Sequence, residues 1–210
     1  MKSNSIYYMD LIFPEEPFQE KIIKLYTEVL GQEQLGVSIE KFTLKEGAGG
    51  NNSNVSGELC VGADKMQFNA TGSGPVDALF GVLAQNLGDT YLCLKDVRFE
   101  DFSMKVHFKE RKHGRCTSAP VEITLVLIAG AKKRLYFRAQ STSLMKAVID
   151  ATCQAAAFLI NCELAVISLH GQIGYVEKNK RYMLDSYVFQ LAELIKVMSF
   201  EKTIKRLTNK

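Results

Sequence analysis

One segment of the sequence combines residue types that can hold an anion without a catalytic side chain. Thr71-Gly72-Ser73-Gly74-Pro75 is followed by Asp77, so two glycines bracket a small polar residue just before a predicted helix. Glycines leave backbone N–H groups accessible and a helix N-terminus attracts negative charge, so a carboxylate ligand fits this pattern. A tight strand-to-helix connection without a ligand fits the spacing equally well. The helix dipole alone also favours Asp77 in the first turn.

Two other segments could contact phosphate by residue type alone. The run from Lys109 to Ser118 carries five basic or histidine side chains, but a solvated hairpin tip is the favoured interpretation. Gly47-Ala48-Gly49-Gly50 lacks the Lys-Ser/Thr pair and the following helix of a phosphate-binding loop. We therefore interpret it as a flexible hairpin loop.

The side chains that usually carry catalysis or bind metals are present but poorly arranged. The three histidines are isolated from each other and from carboxylates at ligand spacing, and the five cysteines show no C-x-x-C pair. No G-x-S-x-G nucleophile motif occurs. We therefore predict no metal, no cofactor, no catalytic residue and no enzymatic activity, although a site assembled in space from distant residues stays open.

Composition restricts the partners and the compartment. The 26 basic and 23 acidic residues give a formal charge of +3 and are spread along the chain, which disfavours a nucleic-acid surface. No secretory signal is visible, and no apolar run is expected to span a membrane. We expect a cytoplasmic protein with reduced thiols, binding neither nucleic acid nor membrane.

Hydrophobic periodicity and turn residues predict alternating strands and helices that position the first turn. The predicted helices are 17–30, 76–87, 143–161 and 181–198, and the predicted strands are 37–44, 55–61, 66–70, 99–108, 121–127 and 135–139. Gly171 to Gly174 is predicted to form a turn, and the basic end from Lys202 to Lys210 is predicted to fray.

The order of elements occurs twice. Phe68 aligns with Phe137 and, at the same shift along the chain, Ala78 aligns with Ala147. This predicts an α+β fold of duplicated βββα units, 37–90 and 91–161, related by a pseudo-twofold axis. Residues 1–36 and 162–210 are predicted to be N- and C-terminal helical extensions. A ligand is expected where the two helix-initiating turns converge.

A family resemblance rests on the first of these turns. The run Ala70-Thr71-Gly72-Ser73-Gly74-Pro75-Val76-Asp77-Ala78-Leu79 resembles the A-T-G-N-G-P-V-D-A-L/Y signature of the allosteric domain of 2-isopropylmalate synthase, which citramalate synthases also carry. Phe99 to Phe102 and Ser141-Thr142 are similar to its L-x-D-Y and S-T-D motifs. The resemblance covers roughly Val37 to Asn161 and departs from the family pattern at Ser143 and Lys146.

The resemblance implies a regulatory module without its enzyme. Domains of this family dimerise and bind leucine or isoleucine, and this chain has no room for the catalytic barrel of about 250 residues. The implied ligand-binding residues are Thr71, Gly72, Ser73, Gly74, Pro75, Asp77, Ser141, Thr142 and Ser143. The leading hypothesis is a homodimeric sensor of a branched-chain amino acid or related metabolite. The alternatives are a subunit that binds a separate condensing enzyme without sensing a ligand and, ranked last, an unrelated enzyme on a repurposed fold.

Overall fold

The computed structural model describes residues 16–47, 49, 52–106, 119–130, 133–179 and 183–208. The predicted basic loop, Lys109 to Ser118, lies outside the described residues. The helices are α1 (Glu16–Leu30), α2 (Pro75–Leu87), α3 (Leu144–Asn179), α4 (Leu184–Ile195) and α5 (Glu201–Thr208). The strands are β1 (Val37–Glu46), β2 (Ser53–Val61), β3 (Asp64–Gly72), β4 (Val97–Val106), β5 (Val121–Ala129) and β6 (Lys133–Ser141).

The strands form two separate antiparallel sheets of three strands, ordered β1-β2-β3 and β4-β5-β6. A helix follows the third strand of each sheet, α2 in the first unit and α3 in the second. The predicted α+β fold of duplicated βββα units is confirmed. A short 3-10 segment, Leu92–Lys95, joins the two units.

The duplication extends to a local irregularity and its ion pair. The first strand of each unit has a bulge, at Glu40 in β1 and at Glu100 in β4. Each bulged glutamate reaches the second residue of its third strand, with 2.7 Å from Lys65 Nζ to Glu40 and 2.7 Å from Arg134 Nε to Glu100. These hydrogen bonds lower the pKa of Glu40 and of Glu100. The two units therefore share more than their order of elements.

The helices cover the apolar faces of the sheets and also connect the units. α2 packs on β2 and β3, and α3 packs on β5, β6 and the neighbouring β1. Phe80 of α2 contacts Phe99 of β4, with ring centroids 4.1 Å apart. Because each helix touches the first strand of the other unit, the two units share one core. Its fully buried side chains include Leu59, Leu79, Leu83, Ile123, Leu125, Leu127, Ile149 and Leu159.

The predicted turn at Gly171 to Gly174 is wrong, because α3 continues through both glycines to Asn179. Glycine inside a helix costs about 1 kcal/mol relative to alanine. Packing of α3 against α4 and burial of Leu169 and Val176 near these positions offset that cost. Position 161, where the family resemblance ends, therefore lies inside a continuous helix.

α3 also contradicts the expectation that no apolar run reaches membrane-spanning length. Within Leu144–Val176, an 18-residue window has mean hydropathy 1.5, which is apolar enough to cross a membrane. Of that window, 72% is buried inside the protein. Burial to this extent favours a core helix of the protein over a membrane span.

The chain end predicted to fray is instead folded onto the body as α5, so that prediction is also wrong over the described residues. Glu163 of α3, 1% exposed, accepts hydrogen bonds from Thr203 Oγ1 at 2.6 Å, Cys93 N at 2.9 Å and Leu92 N at 3.2 Å. One carboxylate thus joins α3, α5 and the segment between the units. Ile204 and Leu207 stand at helical spacing and could have indicated α5, but the surrounding basic residues favoured the interpretation of a solvated chain end.

Candidate site at the two helix-initiating turns

The first turn is closed by its own acidic residue. The Ser73 N–H donates to Asp77 Oδ2 at 2.9 Å, and the Ser73 hydroxyl lies 3.2 Å from the same oxygen. Gly74 is the N-cap and its carbonyl accepts from Ala78 N at 2.9 Å, while Pro75 begins the helix. The Ser73 N–H was expected to be open to a ligand, but it is already hydrogen-bonded to the Asp77 carboxylate.

Glycine at position 72 is required by close packing. A Cβ there would lie 2.4 Å from the backbone N of Ala78 and 2.8 Å from Asp77 Oδ2. Such distances are far below van der Waals contact, so the turn excludes any side chain at this position. Thr71, Ser73 and Asp77 remain solvent-exposed, which keeps the polar side of the turn accessible.

The second turn is closed by hydroxyl groups. Ser141 Oγ accepts from Ser143 N at 3.2 Å, and Ser143 Oγ accepts a longer hydrogen bond from Lys146 N at 3.4 Å. Thr142 and Ser143 are exposed and Ser141 is half-buried. The Lys146 ammonium pairs with Asp150 one helical turn further on. This is the ordinary serine N-cap of a helix.

The predicted ligand-binding residues therefore form two clusters. The first offers a carboxylate, which can accept from an ammonium group, and the second offers hydroxyls next to a lysine. No hydrogen bond or ion pair among the described residues joins residues 71–77 to residues 141–143. The convergence of both turns on one ligand remains a prediction.

An apolar surface beside the second turn was missed by the sequence analysis. Phe102 and Met104 of β4 are 40% and 53% exposed, and Phe42 at the equivalent place in β1 is 37% exposed. Phe102 pairs with the buried Leu125, so it faces the helix side of its sheet without being covered. The alternation of Phe102 and Met104 was visible in the sequence, but it does not show that β4 is an edge strand whose side chains stay uncovered.

This surface and the second turn lie at the same end of the second sheet. Val121 of β5 pairs with Val106 at the end of β4 and with Ser141 at the end of β6. Met104 lies two residues before Val106 along β4. A molecule seated on the exposed part of β4 would therefore approach the start of α3.

One group of potential metal ligands occurs in the described residues and already holds a cation. Ligand atoms of Glu40, Glu58 and Cys60 lie within 4.8 Å of one another. The Lys65 ammonium lies 2.7 Å from Glu40 and 3.6 Å from Glu58. Since this ammonium supplies the positive charge that a metal ion would bring, we assign the group a structural role.

Three buried cysteines are poorly suited to nucleophilic chemistry. Burial raises the pKa of Cys153 to about 12 and also raises the pKa values of Cys93 and Cys162 well above the ordinary range. The thiolate is the reactive form of cysteine, so these thiols are inert at neutral pH.

The fold is a duplicated βββα domain with one helix-initiating turn in each unit. Among the described residues, the polar side chains of each turn form hydrogen bonds within that turn. Comparison with protein families adds the family: the model of the LeuA allosteric (dimerisation) domain matches residues 16–161. The chain belongs to that family, as its resemblance to the 2-isopropylmalate synthase allosteric domain predicted. The match begins at residue 16 and so includes α1, which the sequence analysis placed in an extension. No curated protein matches the chain.

Proposed function

We propose that this protein is a homodimeric regulatory module that binds a branched-chain amino acid, leucine or isoleucine, or a related small metabolite. The observation that carries the proposal is the family match combined with the intact first turn, where Gly72, Ser73 and Asp77 keep a tightly specified geometry. The proposed ligand places its ammonium on Asp77 and thereby competes with the Ser73 N–H. The proposed setting is branched-chain amino-acid biosynthesis in the cytoplasm.

The proposed dimer interface uses the exposed side chains of Phe42 on β1 and of Phe102 and Met104 on β4. Exposed aromatic side chains on two equivalent edge strands suit an isologous contact, because a second copy presents the same groups. The proposed contact adjoins the start of α3, so assembly and ligand binding at Ser141 to Ser143 would influence each other.

Sedimentation velocity tests the dimer with a matched pair of substitutions. Phe102→Asp introduces a charge into the proposed interface and is expected to give monomers. Phe189→Asp is the control, since Phe189 is 61% exposed on α4, an element outside the proposed interface. A Phe102→Asp variant that stays dimeric while the control dissociates would overturn this assignment.

Calorimetry tests ligand binding. The wild-type chain is titrated with leucine, isoleucine, valine and the corresponding 2-oxoacids, and binding of at least one of them is expected. Asp77→Ala is expected to weaken binding of the amino acids most, because it removes the acceptor for their ammonium group. No detectable binding by any compound in this panel would count against a sensing role.

A specific observation favours a second candidate, a subunit that binds a separate condensing enzyme. Val188, Phe189 and Ile195 expose 48%, 61% and 37% of their surface on α4, which lies outside the family match. Affinity purification from native lysate with wild-type and Phe189→Asp chains discriminates the two functions. Recovery of a catalytic barrel protein by the wild type alone would favour the subunit, and a clean homodimer would favour the sensor.

A further inference from the structure

A small cavity lies between the segment that joins the two units and the C-terminal end of the chain. Its volume is about 170 Å³, and it is lined by Leu92, Asp96, Gly130, Met198, Phe200 and Lys202, among others. Leu92 follows the C-terminal end of α2, whereas the turn at Gly72 to Asp77 precedes its N-terminal end. The cavity is therefore distinct from the site proposed for the effector, and most of its wall is outside the family match.

The walls of the cavity are held in place by several specific contacts. Glu163 binds the backbone of Leu92 and Cys93 and the hydroxyl of Thr203, which fixes the joining segment against α5. A Cβ on Gly130 would lie 2.9 Å from Met198 Cα, so this glycine permits close packing of the strand turn against the C-terminal segment. The cavity is thus part of the folded structure rather than a gap between loose elements.

Phe200 adds a sign of local strain at this place. Its φ of 47° lies in the left-handed region, which side chains other than glycine adopt rarely, and its ring is buried. Strained residues of this kind occur preferentially at ligand sites and persist only where the surroundings enforce them. The left-handed backbone of Phe200 and the cavity are separate observations at the same place.

The cavity carries one charge of each sign. Lys202 Nζ lies 2.5 Å from Asp96 Oδ1, and their side chains are 61% and 44% exposed. Such exposed pairs contribute little stability, so a ligand can separate them at small cost. An anion alone would be repelled by Asp96 and a cation alone by Lys202. A zwitterion satisfies both charges, while Leu92, Met198 and Phe200 provide apolar wall.

We propose that this cavity binds a small zwitterionic α-amino acid with an apolar side chain. The carboxylate pairs with Lys202, the ammonium pairs with Asp96, and the side chain packs against Met198 and Phe200. The volume corresponds to roughly six water molecules, which is enough for a single small amino acid. This proposal does not depend on an effector at the helix-initiating turns.

Amide NMR spectra of the full-length chain test the proposal with three probes. L-Leucine has both charges, leucinamide lacks the carboxylate, and N-acetyl-L-leucine lacks the ammonium. Leucine is expected to shift the amide signals of residues 92–96 and 199–203 in a saturable manner. Each analogue is expected to bind at these residues at least tenfold more weakly, because it leaves one charge of the pair without a partner. An effector at the first turn would instead shift residues 72–77, so the two proposals give separate signals.

Substitutions supply the second part of the test. Asp96→Asn and Lys202→Gln are each expected to weaken leucine binding at residues 92–96 at least tenfold. The matched control is Glu201→Gln with Lys205→Gln, which removes another ion pair of α5, 2.6 Å long, that does not line the cavity. Unchanged signals with leucine, equal binding of either analogue, or unaltered binding by both cavity variants would each overturn the proposal. The analogue series uses wild-type protein and decides the question even if a variant fails to fold.

Discussion

The two βββα units share a framework, but different side chains stabilise their helix-initiating turns: a carboxylate in the first unit and serine hydroxyls in the second. Both have the bulge and the ion pair between the first and third strands. In the first unit Asp77 accepts from the backbone of Ser73, whereas in the second Lys146 stands at the equivalent position and Ser143 is the cap. The two units therefore share this framework but carry opposite charges at one equivalent position of their turns, Asp77 in the first and Lys146 in the second.

The units also differ in how their helices end. α2 stops at Leu87, where Gly88 and a turn redirect the chain into the segment between the units. α3 continues to Asn179 and forms the surface on which α4 and α5 pack. The second unit is therefore the one through which an event at the turns could reach the C-terminal helices.

The largest expected difference between the two turns comes from substitutions at their equivalent first positions, Gly72 and Ser141. Gly72→Val is expected to destabilise the protein by about 3 kcal/mol or more, because its Cβ would collide with the backbone of Ala78. Ser141→Gly at the equivalent position is expected to cost only about 1 kcal/mol, mainly by removing one hydrogen bond. Urea denaturation measures both, and equal losses would contradict the difference between the turns.

Glu163→Ala tests the connection between α3 and the C-terminal helix. It leaves the N–H groups of Leu92 and Cys93 and the hydroxyl of Thr203 without their acceptor, and the expected loss is about 3 kcal/mol. Hydrogen exchange should increase at residues 92–95 and 201–208 before it increases in the sheets. The control is Glu201→Ala at the exposed start of α5, and uniform exchange in both variants would refute the connection.

Removing one polar side chain from each turn is expected to have a similar effect on stability in both units. Asp77→Ala and Ser143→Ala each remove a side-chain acceptor at a helix start and are each expected to cost about 1 kcal/mol. Asp77→Ala is expected to weaken amino-acid binding more than Ser143→Ala under the proposed function, because it removes the acceptor for the ligand ammonium. Denaturation and calorimetry on the same two variants separate stability from binding, and a larger binding loss in Ser143→Ala would reverse the assignment.

The smallest expected effect concerns the shared ion pairs. The pKa values of Glu40 and Glu100 are lowered from the ordinary 4.5, so each pair stabilises the folded state above that pH and loses its effect as the pH falls below it. Lys65→Gln and Arg134→Gln should each slightly reduce the loss of stability on acidification. The effect is small because both pairs are exposed. Denaturation midpoints above and below pH 4.5 measure it. A change in one variant without the other would show that the pairs are not equivalent.

The repeat and its strands could be predicted because turn residues and alternating apolar positions are local signals. The prediction placed the first turn correctly on Gly72 to Pro75, between β3 and α2. It could not foresee that Asp77 would close this turn, because that contact depends on backbone geometry rather than residue type. The long α3 was missed because two glycines outweighed the tertiary packing that carries a helix through them. The exposed Phe102 was missed because edge position is a property of the whole sheet.

Amide NMR of the wild-type chain titrated with leucine and isoleucine tests whether the helix-initiating turns bind an amino-acid effector. Saturable shifts are expected at residues 72–77, with the largest change at Ser73, because its N–H loses the bond to Asp77 when the ligand ammonium binds that carboxylate. Spectra in which residues 72–77 and 141–143 stay unchanged at saturating concentrations of both amino acids would contradict a sensor at the helix-initiating turns.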